Sequence, residues 1–123
     1  NSKLSLDLAK MAHTVYKSNM KDAIIENRNI EKIDHNQCEF GRWLESNETQ
    51  NLFACYPEYK NLVQLHKEIH NYVNETLKCI DTNSCLDNPE KLQEKVEYIE
   101  EHSKKMNAIM DKLFSKAEKE SCN

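Results

Sequence analysis

The chain has 123 residues, a length that supports one modest core. Its formal charge of −4, with 17 basic against 21 acidic residues, argues against a nucleic-acid partner, and no basic stripe with interleaved aromatics is present to neutralise phosphates. One Gly and two Pro are too few turn-formers for a sheet protein, so a few long helices are expected.

The first element runs from about Leu4 to Asn27. Leu6, Ala9, His13, Tyr16, Met20 and Ala23 recur at steps of three and four, the signature of one helix face in a bundle. Leu4, Leu8, Met11, Ala12 and Val15 form a second stripe, which is expected to widen the buried face. Arg28 to Gln37 is polar and aperiodic and reads as a connection. A short helix is expected over Cys38–Leu44, followed by another turn of helix with Asn47 as its cap and Gln50 reaching back to it. Pro57 suits the first position of a third segment, where Tyr59, Leu62, Val63, His66, Ile69, His70, Val73, Leu77 and Ile80 make one stripe. Asp81 to Asn88 is a turn by composition. Asn88 then caps a fourth helix with Pro89 at its first position, striped by Leu92, Val96, Ile99, Ser103, Met106, Met110, Leu113 and Ala117. The expected fold is all-α: an antiparallel four-helix bundle with one short or broken helix carrying the Cys motif.

Residues 1–123 read as a single domain, and a chain opening on Asn1 rather than Met reads as a fragment or a processed chain. No apolar run approaches the roughly 20 residues a bilayer crossing needs, and no signal-peptide pattern is present, so no membrane contact is expected of this segment. Five cysteines stand at 38, 55, 79, 85 and 122, an odd number with no CxxC. Free thiols in a reducing cytoplasm are the expectation, with no role assigned to Cys55, Cys79, Cys85 or Cys122.

Three histidines fall on apolar stripes. His66 and His70 are four apart, so their rings project from adjacent turns of one face and can grip one ion. His13 sits mid-stripe on the first helix, and Cys38 opens the segment between them. Imidazole and thiolate together suit Zn2+, and four such ligands complete a tetrahedron. Each residue alone also reads as a buried, hydrogen-bonded core group. The joint occurrence favours metal, because three imidazoles in one small core without a shared partner are costly. His35, three residues before Cys38, competes for the place of His13, although its polar setting favours a loop; His102 reads as helix flank.

His66-Lys67-Glu68-Ile69-His70 is not a metalloprotease motif, which needs Glu directly after the first His. A di-iron bundle would want inward carboxylates instead of His and Cys. No enzyme is expected, since four protein ligands leave no open position for a substrate water. Gly41 reads either as a turn glycine or as a point of close approach, and Phe40, Trp43 and Leu44 as anchors holding the thiol over the metal.

Cys38-Glu39-Phe40-Gly41-Arg42-Trp43-Leu44 resembles the Cys-x-(Leu/Phe)-Gly-x-Trp signature of chemoreceptor zinc-binding (CZB) domains. His13 with Tyr16-Lys17 after it, and His66 with His70, resemble that family's other motifs in order and rough spacing. The resemblance spans about Leu4 to Phe114 and implies a cytoplasmic helical bundle, usually a homodimer, attached to the signalling part of a bacterial chemoreceptor or diguanylate cyclase. It also implies a zinc site of His13, Cys38, His66 and His70, tied to sensing zinc or oxidants such as hypochlorous acid, with Cys38 as the redox-reactive member. Phe40, Gly41 and Trp43 are then motif support. The alternative is a purely structural zinc-stabilised helical dimerisation module.

Overall fold

The computed structural model describes residues 2–120 and 122, with side chains from residue 6 onward. Six helices follow in chain order: α1 (Ser2–Glu26), α2 (Glu39–Leu44), α3 (Asn47–Phe53), α4 (Pro57–Thr76), α5 (Lys78–Asp81) and α6 (Pro89–Lys119). There is no strand among the described residues, and none of their helices is long and apolar enough to cross a membrane.

Helix α6 runs antiparallel to both other long helices. Against α1, Lys10 pairs with Asp111 at 2.5 Å and Lys17 with Glu100 at 3.3 Å. Against α4, Glu58 pairs with Lys116 at 2.5 Å, and the Tyr72 and Tyr98 rings stack at 4.0 Å. The short pair α2–α3 packs on α1 and α6 and forms the broken side of the bundle. The stripes of α1, α4 and α6 meet in a core with Met20, Ile69, Val73, Ile99 and Met106 fully buried. Each such side chain contributes about 1.5–3 kcal/mol relative to exposure.

The helix ends follow from local chemistry. Asn27 takes a left-handed φ of 51°, and the next amide, Arg28 N–H, bonds back to the Ala23 carbonyl at 2.9 Å, closing α1. The Asn88 side chain accepts from Lys91 N–H at 3.1 Å and Pro89 begins α6, as expected. The cap of α3 lies one residue earlier than expected. Ser46 Oγ accepts from Thr49 N–H at 3.3 Å, while Gln50 reaches past the cap to the Glu45 carbonyl at 2.7 Å.

Two further expectations are corrected. Most of the second stripe of α1 does not enter the core: Leu8, Met11 and Val15 are 55%, 62% and 56% exposed, whereas Ala12 is half-buried against the site. The first stripe already fills the contact with α2 and α6, leaving the second on the open side of α1; the side chain of Leu4 lies outside the described residues. The cysteines are not all free thiols either. Cys55 bonds Cys122 and Cys79 bonds Cys85, leaving Cys38 as the free cysteine. The antiparallel return of α6 brings its end against the α3–α4 junction, which unites positions 67 apart in sequence. The tight turn after α5 unites positions six apart.

Candidate metal centre

Helix α4 forms the floor of the site. His66 and His70 lie on its buried face, with ring centroids 4.6 Å apart and edge to face. Above them, Cys38 is the N-cap of α2, in extended conformation. Its Sγ accepts from Gly41 N–H at 3.2 Å and stands 3.3 Å from His66 Nε2. Ligand atoms of Cys38, His66 and His70 all lie within 4.8 Å of one another. The structure therefore brings together three of the four expected ligands.

His13 is close by but is not in that group. It is buried on α1, lines a cavity of about 20 Å³ together with Tyr16, Cys38, Phe40 and His70, and its Nε2 lies 3.0 Å from the Ser103 hydroxyl of α6. His35 is also outside the group, its ring centroid 6.3 Å from that of His66. His102 sits on the flank of α6, stacked on Tyr98 at 3.8 Å.

The polar partners of His70 test whether these residues fit a metal. Its Nδ1 is 3.2 Å from the Ile33 carbonyl, which also accepts from Asn74 Nδ2 at 3.1 Å. A hydrogen on Nδ1 leaves Nε2 as a bare lone pair, and that atom is buried without any hydrogen-bond partner. A histidine fixed by a backbone carbonyl on one nitrogen and unpartnered on the other is arranged as a metal ligand. Burial supports the same reading. It lowers His66 to about 3 and His13 to about 4, with neighbouring positive charge adding to the effect, and it lowers His70 against the opposing Ile33 carbonyl. All three rings are thus neutral near pH 7, the form that binds metal. Burial raises the Cys38 thiol, partly offset by the Gly41 and Phe40 amides. A cation beside the sulfur would reverse that balance. Soft sulfur with imidazole suits zinc.

Gly41 is explained by close approach. A Cβ there would lie 1.7 Å from the His35 carbonyl oxygen and 3.1 Å from the His66 ring. Its φ is not positive, so the turn-glycine alternative is not needed. The missing Cβ lets the connection before α2 pass directly over the site. Phe40 seats the same helix, its ring 4.8 Å from His66 and 5.8 Å from Trp43, which in turn stacks near Phe114 of α6 at 6.3 Å.

Sequence reasoning did not find the supporting groups. Ser103 carried a signal, as a hydroxyl in the middle of the apolar stripe of α6. The Ile33 carbonyl carried none, because a backbone group leaves no trace in residue type.

Comparison with known proteins agrees with this geometry. The family model of the chemoreceptor zinc-binding domain, CZB, matches residues 13–77, just over half of the chain, and this stretch contains all four expected ligands. The chain belongs to the chemoreceptor zinc-binding domain family. No curated protein and no solved structure gives a match.

Proposed function

We propose that residues 1–123 form the zinc-binding sensory or regulatory domain of a longer bacterial chemoreceptor or diguanylate cyclase, with no catalysis of its own. The bare, buried Nε2 of His70 beside Cys38 and His66 carries this reading. The proposed ligands are Cys38, His66, His70 and His13, with His13 exchanging the Ser103 hydroxyl for metal. Bound zinc would hold the Cys38 sulfur as the thiolate, its nucleophilic and oxidisable form.

Cys38 then serves as the responsive member. Helix α2 is six residues long and is held by Phe40, Gly41 and Trp43, so losing the sulfur's contact with α4 would loosen it from the histidine floor. That supplies a two-state element for signalling. The expected result is about one zinc per chain, released by hypochlorous acid from the wild type. If Cys38→Ser binds zinc and releases it at the same oxidant dose, the sensing role is wrong and the structural module remains.

A structural zinc clamp that supports a homodimer is the second reading. The exposed Leu8, Met11 and Val15 stripe of α1 supports it as a surface available to another copy. The family resemblance points to the cytoplasm, whereas two disulfides favour an oxidising setting. Thiol counting on the isolated protein, without reductant, distinguishes the settings: one free thiol per chain for the oxidising one, five for the reducing one.

A further inference from the structure

The Tyr16 hydroxyl is buried and has no hydrogen-bond partner. Such a group loses its hydration without compensation, so a donor left in this state points to a missing acceptor. Tyr16 lies on α1, one turn beyond His13, and its ring stacks on His70 with centroids 4.6 Å apart and planes 27° apart. It lines the cavity of about 20 Å³ that also touches Cys38, His13 and His70. About 10–15 Å³ is enough for one water-sized guest. The cavity therefore has room for a single oxygen atom, with Cys38 and Tyr16 both on its wall.

We propose that Tyr16 donates its hydroxyl hydrogen bond to the oxygen that Cys38 gains on oxidation. This rests on the oxidant-sensing reading above and names a residue that stabilises the oxidised state. The net step is Cys38–S⁻ + HOCl → Cys38–SOH + Cl⁻. A sulfur–oxygen bond forms, the oxygen–chlorine bond breaks, and chloride leaves with the electron pair. Sulfur loses two electrons, chlorine gains two, and the proton stays on oxygen. As zinc leaves, the new oxygen takes the vacated cavity and completes the Tyr16 hydrogen bond. The other four cysteines are paired, so no second thiol of this chain stands ready to condense with the sulfenic acid. Its lifetime is then governed by its surroundings, among which Tyr16 is the unpartnered donor.

Tyr16→Phe keeps the ring and removes only the hydroxyl. Zinc-loaded wild type and variant would each receive one equivalent of hypochlorous acid. A dimedone-type probe is added after increasing delays, and the sulfenic acid remaining is read by intact mass. Zinc content is measured beforehand. The expected result is equal zinc content and a sulfenic acid lifetime about tenfold shorter in Tyr16→Phe, the scale of one lost hydrogen bond. Equal lifetimes overturn the proposal and leave oxidant sensing intact. Failure of Tyr16→Phe to hold zinc also overturns it, because the hydroxyl then serves the resting site. Absence of probe label in the wild type overturns both this proposal and the oxidant reading beneath it.

Discussion

Helices α4 and α2 supply the two halves of the candidate metal centre and are held in different ways. Helix α4 has 20 residues, buries both His66 and His70, and is stapled beyond each end: Cys55 precedes it and bonds Cys122, and Cys79 follows it and bonds Cys85. Helix α2 has six residues, carries Cys38 at its cap, and is held by noncovalent packing around Phe40, Leu44 and Gly41. One half is a covalently braced platform and the other a small docked piece. On the proposed reading, that contrast lets the site lose its sulfur side without losing its nitrogen side.

The largest effect is expected at the platform's brace. Breaking Cys55–Cys122 with Cys55→Ser reopens a long loop, worth about 4 kcal/mol in the chain-entropy model, whereas Cys79→Ser reopens a short one worth about 2 kcal/mol. Urea unfolding without reductant measures both. If the two variants match wild type, α4 is not braced and the contrast with α2 disappears.

On the docked half, Gly41→Ala is expected to cost about 3 kcal/mol, because the added Cβ meets backbone rather than a movable side chain. Zinc content should fall with it while Cys55–Cys122 still forms. A variant with unchanged unfolding and full zinc would mean that α2 docks elsewhere.

A third test uses pH on metal-free protein. His66 and His13 are held at about 3 and about 4 in the fold, against 6.5 when free. The unfolded chain therefore takes up protons first as pH falls. Stability is complete above pH 6.5 and is lost on acidification down to about 4 for His13 and about 3 for His66, by about 2 kcal/mol per histidine at pH 5. Tm should drop by roughly 10–20 °C between pH 7.5 and 5. Zinc-loaded protein should resist over the upper part of that window. A flat profile without metal would mean that the rings are not buried neutral in the fold.

Much of this organisation is legible in the sequence where side chains carry a period. The stripes of α1, α4 and α6 follow from 3.6-residue spacing, and Pro57 and Pro89 open their helices as expected. The His66–His70 pair follows from the same geometry. The side of α1 that stays open does not, because both of its stripes are apolar and only the placement of α2 and α6 chooses between them. The disulfides were hidden for a related reason: Cys55 and Cys122 meet through the return path of α6, which the spacing of cysteines does not encode. The hydrogen bond between His13 and Ser103 likewise depends on which turns of two distant helices face each other.

The contact between Gly41 and His35 uses an absent side chain on one partner and a main-chain oxygen on the other. Selection acting on it would fall on position 41 alone. At position 35 most residues bring the same carbonyl, so substitutions there should pass unnoticed. A mutational scan would then record one intolerant position and one permissive one, although the two are halves of a single contact.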